Sequence, residues 1–241
     1  MRIDGNAWDY RDFEICYAST PDGGVFFDIG ANVGYFTVEM VALTGSKVTS
    51  IGFEANASLT SAIARTIEIN GYAENLIIVD ALVGDRDGEA KFFIAPASIH
   101  SSAVADSNRG VTHAITKRMI ALDTIVGSGE LPPPDFIKMD IEGSEHLAFR
   151  GGAKMLREHR PHIFFEYLHE DDIGGRVRAE FEALVLETGC YDVYVSPSSN
   201  LRARHASMLV PYSGPEDLTN SDAVYLRNRQ RPVRNADIFG I

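Results

Sequence analysis

The chain has 241 residues, 45% of them hydrophobic, with 22 basic and 34 acidic side chains for a net charge of −12. That apolar share fills a sizeable core, while the negative balance repels phosphate backbones and anionic lipid and argues against nucleic-acid or membrane-surface partners. No stretch approaches the roughly 20 apolar residues of a membrane span, the start lacks a signal layout, and Cys16 and Cys190 lack metal or disulfide spacing, so the expectation is a single cytoplasmic domain over residues 1–241 acting on a small molecule or sugar.

Residues 1–24 form an N-terminal extension, and the first strand is expected at Val25–Ile29. Val33, Phe36, Met40 and Val41 then recur at helical spacing, so the period changes from 2 to 3.6 across Gly30 and Gly34. Lys47–Phe53 reads as the second strand. A helix with Leu59, Ala62, Ile63 and Ile67 on one face stops at Asn70-Gly71, and Leu76–Leu82 reads as the third strand. Two extra strands, Ala90–Ile94 and Thr116–Leu122, flank a Ser/Asn-rich candidate lid at residues 95–113. Pro132–Pro134 block a helix, so a fourth strand starts near Asp135, followed by a helix over Ser144–His159 and a fifth strand at His162–Tyr167. Val177, Phe181, Leu184 and Val185 mark a helix closed by Gly189, and Tyr191–Val195 and Ala223–Leu226 read as the last strands. The arginines of the C-terminal tail, residues 227–241, read as solvated. This alternation predicts an α/β, Rossmann-like fold: a mostly parallel sheet with helices on both faces and an inserted strand pair.

In such a sheet ligands lie beyond the carboxyl ends of the strands, which directs attention to "FFDIGANVGYF". Gly30 lets the chain turn, Gly34 lets the helix start approach a ligand, and Asp28 is expected beside the cleft. A dinucleotide loop needs a middle glycine so that pyrophosphate can rest on bare amides. This loop has none, and its carboxylate favours an ammonium or sulfonium. Glu54, ending the second strand, is placed to accept ribose hydroxyls, and Asp80, ending the third, to reach an adenine amino group. Together these residues point to S-adenosylmethionine.

A second constellation is "FIKMDIEGSEH". Lys138, Asp140 and Glu142 share parity and face one way if the strand holds that far. Carboxylates serve a core badly, so a site is expected; the alternative is a Lys138–Asp140 ion pair with Glu145 favouring the helix start. His146, Asp140 and Glu166 are the candidate bases for a hydroxyl acceptor. A divalent metal held among Asp140, Glu142, Glu166, Glu170, Asp171 and Asp172 is a possible but unfavoured route, since no tight ligand spacing supports it. His100, Ser101 and Ser102 on the lid read as solvated.

"FFDIGANVGYFT", "GFEAN", "LDTI", "DFIKMDIEGSEHLAFRGGAKML" and "RPHIFFEY" together resemble the ordered motifs of the FkbM family of S-adenosylmethionine-dependent methyltransferases over about Val25–Tyr167. The resemblance implies a seven-stranded class I methyltransferase sheet and O-methylation of a sugar or natural-product hydroxyl, with S-adenosylhomocysteine as product. It also implies that Asp28, Gly30, Ala31, Asn32 and Gly34, with Phe36 beyond, hold the methionine part. Glu54, next to Ala55, would hold the ribose and Asp80 with Ala81 the adenine, with Asp140 near the transferring methyl; Lys138, Glu142, His146 and Glu166 remain candidate catalytic residues from the reading of the strand exits. The family usually has proline after "FE", where this chain has Ala55. A nicotinamide dehydrogenase and a non-catalytic nucleoside-binding scaffold share the sheet and remain the alternatives.

Overall fold

A computed structural model of the chain describes residues 7–94, 113–167, 172, 175–197 and 209–234. Helix α1 (Ala7–Ser19) leads into β1 (Val25–Ile29), α2 (Tyr35–Thr44), β2 (Thr49–Glu54), α3 (Ala57–Asn70) and β3 (Leu76–Asp80). Strands β4 (Leu82–Val83), β5 (Gly88–Ile94) and β6 (His113–Ile120) follow, then α4 (Leu122–Gly127), β7 (Phe136–Met139), α5 (Glu145–Gly151) and α6 (Ala153–His159). The chain continues through β8 (His162–Glu166), α7 (Arg176–Thr188), β9 (Tyr191–Pro197), β10 (Val210–Pro211), a 3₁₀ turn (Pro215–Asn220) and β11 (Ser221–Asn228).

The main sheet runs β10-β9-β11-β8-β7-β1-β2-β3. β1 is the middle of five parallel strands, beside β2 and β7, with β3 and β8 extending the parallel register outward. β11 is antiparallel to both β8 and β9. The short β10 brings this sheet to eight strands, one more than the seven expected. The inserted pair β5 and β6 forms a separate three-stranded sheet with β4, in the order β4-β6-β5. The end of the expected third strand thus belongs elsewhere: beyond Asp80, Leu82 pairs with Met119 of β6.

Alternation along β1 divides the core. Phe27 and Ile29 enter one apolar cluster with Ile137, Met139 and the α4–α7 side. Phe26 enters another with Phe136, Tyr225 and Phe13, Ile15 and Cys16 of α1. Each fully buried large apolar side chain contributes about 1.5–3 kcal/mol, so β1 is held from both faces. The second of those faces, with Phe26, is closed by helix α1, which lies within the N-terminal extension of residues 1–24.

The helix expected over Ser144–His159 is broken into α5 and α6 at Gly151-Gly152. A Cβ on Gly151 would sit 1.9 Å from the carbonyl oxygen of Gly84, so α5 touches the backbone of the β4–β5 turn. Of the tail arginines expected to be solvated, Arg231 pairs with Asp135 and Arg234 with Asp22 and both are largely covered, while the half-exposed Arg229 pairs with Asp192 at 2.8 Å. Arg231 also donates to the carbonyls of His159 (2.7 Å) and Arg160 (2.9 Å) at the end of α6. Residues 95–112 of the candidate lid, with His100, Ser101 and Ser102, lie outside the described residues, and His113 begins β6.

Gly151→Ala should cost about 1–3 kcal/mol of stability by overpacking. Gly127→Ala, where an added Cβ meets nothing within 4 Å, should not. Chemical denaturation of the two variants checks this.

Candidate active site

The loop between β1 and α2 is set by backbone conformation. Gly30, Asn32 and Gly34 all have positive φ, at 83°, 51° and 81°; asparagine tolerates that region better than most residues with a Cβ. Gly30 has a second constraint, because its Cβ would lie 2.0 Å from the carbonyl oxygen of Asp140. At Gly34 an added Cβ would instead meet Ile63 of α3 at 2.8 Å. The glycine expected to make room for a ligand makes room for a helix.

Four loop amides are used inside the protein. Gly30 and Ala31 donate to the carbonyl of Phe53 (2.9 and 3.0 Å) and Gly34 to that of Ala31 (2.7 Å), while Asn32 donates to Glu54 Oε2 (2.8 Å). A pyrophosphate needs such groups bare, so the geometry favours a ligand other than a dinucleotide. Glu54 is 8% exposed, and its Oε1 also accepts from the amide of Asn56 at 2.7 Å. Burial raises its pKa, opposed by these amide bonds. Each carboxylate oxygen retains a further lone-pair direction, so Glu54 can still accept hydroxyls. Ala31 and Ala55 are buried beside it, and Asn32 Oδ1 is buried without a partner, an acceptor that fits a cofactor amino group. Asp80 is the register neighbour of Glu54 at the end of β3. Its half-exposed carboxylate pairs with Lys117 of β6 at 2.5 Å, and Ala81 behind it is buried.

Asp28 is not beside the cleft. It is fully buried, its Oδ2 accepts from Thr37 Oγ1 at 2.5 Å, and its Oδ1 lies 3.4 Å from Lys138 Nζ. Parallel pairing sets Asp28 directly against Lys138, so the sulfonium counter-charge expected of Asp28 is already taken by an internal ammonium. Burial raises the Asp28 pKa, and Lys138 opposes that rise. Lys138 in turn lies 3.5 Å from Asp140 Oδ2 and 4.8 Å from the centre of the Phe36 ring. The Lys138–Asp140 pair, read from sequence as the alternative to a site, is therefore present. Phe36 packs against Phe13 of α1 and under Lys138. Burial lowers the Lys138 pKa, but Asp28 and Asp140 outweigh it and leave the ammonium more firmly protonated than usual.

Beyond Lys138 the acids converge. Strand β7 ends at Met139, and Glu142 takes a positive φ of 56°, so strand parity does not reach it. The reversal still brings carboxylate oxygens of Asp140, Glu142 and Glu166 within 4.8 Å of one another. Burial, then Asp140 and Glu142, push Glu166 up to about 9. Burial likewise raises Glu145 to about 7, although it accepts from the amide of Ile141 at 2.9 Å. These oxygens are of the kind a hard divalent cation takes. His146 is not in the cluster. It is 4% exposed on the inner side of α5 with Nδ1 unpartnered, and burial followed by Arg176 and Arg150 lowers its pKa.

Other motif acids are structural. Asp123 of "LDTI" accepts from the amides of Lys154 (3.0 Å) and Met155 (2.7 Å), capping α6. Asp172, read as a metal candidate, accepts from the amide of Val177 (2.7 Å) and the hydroxyl of Tyr167 (2.8 Å) at the start of α7; Glu170 and Asp171 lie outside the described residues. Thr37 and Lys117, which hold Asp28 and Asp80, had no sequence signal, because each meets its partner only through the fold.

A family model described as the methyltransferase FkbM domain matches residues 28–194, which include every carboxylate of the site. Among curated proteins no sequence matches the chain. Among solved structures, methyltransferase FkbM from Methylobacillus flagellatus KT matches with a TM-score of 0.56 at 16% identity, covering 88% of this chain and 48% of that one. The chain thus spans about half the length of that protein. A candidate rRNA-methylase from Clostridium thermocellum matches with a TM-score of 0.54 at 8% identity, over 96% of this chain and 99% of that one. At such identities the likeness establishes the fold, the Rossmann-like fold of class I methyltransferases.

Because Glu166 keeps its proton to about 9 in the fold and to an ordinary 4.5 when unfolded, its stabilising effect is full below 4.5 and is lost as pH rises toward 9. Melting temperature measured across that range should fall less steeply for Glu166→Gln than for the wild type.

Proposed function

Since the chain belongs to the FkbM methyltransferase-domain family, we propose that it is an S-adenosylmethionine-dependent O-methyltransferase acting on a hydroxyl of a sugar or natural-product small molecule. The observation that carries this reading is the convergence of Asp140, Glu142 and Glu166 beside the Gly30–Gly34 loop. Bound there, S-adenosylmethionine supplies an electrophilic methyl group on a sulfonium that is already a good leaving group.

The protein's own residues then have three tasks. The loop and Glu54 hold and orient the cofactor; alignment of this kind supplies much of the acceleration in a displacement. Lys138 and Thr37 keep Asp28 paired, so the floor beneath the loop is dry and fixed. Asp140, whose side chain is 42% exposed, takes the proton from the acceptor hydroxyl. Glu166, holding its own proton, avoids the repulsion of two ionised neighbours. A positioned base of this kind contributes about 10²–10⁴ in rate. His146, buried away from the trio, takes no part. The unpaired, buried Cys16 and Cys190 are consistent with a cytoplasmic enzyme, and the acceptor chemistry with secondary metabolism.

Calorimetric titration with S-adenosylhomocysteine should show one saturable site, weakened at least about tenfold in Glu54→Ala, and NAD⁺ should give no heat. NAD⁺ binding in place of S-adenosylhomocysteine would replace this reading with the dehydrogenase. With an acceptor found by screening hydroxyl compounds against methyl-labelled cofactor, Asp140→Asn should lower kcat by about 10²-fold or more with cofactor affinity nearly unchanged.

A further inference from the structure

Lys138 is an ammonium in a buried place, and burial of a charge needs a reason. On the same face of the sheet, two residues earlier, Phe26 lies opposite Phe136 with ring centroids 5.8 Å apart. The next pair on that face is Asp28 and Lys138. A buried ion pair adds little stability over an apolar pair of similar size, and the preceding step shows that this face accepts an apolar pair. The switch from rings to charges occurs where β1 gives way to the loop.

Lys138 Nζ has three oxygen neighbours on three segments: Asp28 Oδ1 at 3.4 Å on β1, the carbonyl of Gly30 at 3.4 Å in the loop, and Asp140 Oδ2 at 3.5 Å after β7. The ammonium, which can only donate, hydrogen-bonds the Gly30 carbonyl and forms ion pairs with the two carboxylates. The loop and the Asp140 segment also touch there, since no Cβ fits between Gly30 and the carbonyl of Asp140.

We propose that Lys138 is a positioning residue that ties the cofactor loop to the Asp140 segment, holding the Gly30 carbonyl and the Asp140 carboxylate in fixed relation. It touches neither cofactor nor acceptor. This rests on the cofactor reading given above.

Lys138→Met alone would strand a buried carboxylate at Asp28, and a loss of folding there would say nothing about the loop. The informative variant is Asp28→Asn with Lys138→Met, which removes one charge of each sign and keeps an acceptor for Thr37. Its melting temperature should stay within about 5 °C of the wild type, while its dissociation constant for S-adenosylhomocysteine rises about tenfold or more. Wild-type affinity in this variant would show that Lys138 only neutralises Asp28 and would overturn the proposal. Should the variant fail to fold, the wild-type protein with labelled lysine decides: the Lys138 side-chain resonance, identified by its loss in Lys138→Arg, should shift on addition of S-adenosylhomocysteine, and an unmoved resonance overturns the proposal. Absence of S-adenosylhomocysteine binding to the wild type would remove the cofactor reading and this role together, an outcome distinct from equal binding by wild type and variant.

Discussion

The site depends on one close approach. Gly30, leaving β1, and Asp140, leaving β7, come so near that the Cβ of any other residue would lie 2.0 Å from a carbonyl oxygen. The approach follows from the sheet, since β1 and β7 are adjacent and parallel and their exits fall at the same edge. It is continued by the amide of Asp140, which donates to the carbonyl of Ile29 at 2.9 Å. Without that contact the loop and the carboxylates would be separate features of two strand ends. With it they share one wall, and the charge of one segment is felt by the other.

The two edges of the sheet use acidic residues in opposite ways. At the amino ends of the strands, Asp135 accepts from the amide of Val25 at 2.9 Å and pairs with Arg231, and Asp22 pairs with Lys47 and Arg234. Each acid there meets at least one cation. At the carboxyl ends, Lys138 pairs with Asp28 and Asp140, and the Asp140 carboxylate lies in turn beside those of Glu142 and Glu166. Burial first, and then the neighbouring carboxylates, raise the pKa values of Glu145 and Glu166 there. The two edges thus use the same residue types, with acids paired to arginine and lysine at one and packed beside further acids at the other.

Buried polar groups away from the cleft have a simpler purpose. His162 Nδ1 accepts from the amide of Asn228 at 3.0 Å and lies 3.3 Å from the hydroxyl of Tyr225, which is 2.8 Å from Ser19 Oγ. Burial, then Arg231, lower His162 to about 4, so it stays neutral and links β8, β11 and the end of α1. Such links fix which strand lies beside which, and the neighbours of β1 depend on that order.

The amino-acid sequence by itself determined most strand and helix periods from Val25 to Gly189, though not α4 or the break between α5 and α6, together with the turn at Gly30, the carboxylates at strand ends and the family resemblance. Those signals are local, since side-chain alternation, glycine and proline act within a few residues. The sequence left α1 unread, because a helix over Ala7–Ser19 is fixed by packing Phe13 and Cys16 under the sheet and not by a strong stripe of its own. Only the tertiary structure decided that Asp28 is occupied by Lys138 and Thr37, that Gly34 faces Ile63, that Glu142 reaches Asp140 and Glu166, and that His146 does not. Each of these is a contact between residues brought together by strand order, and strand order is set by the summed burial of the whole sheet, which no short stretch of sequence contains.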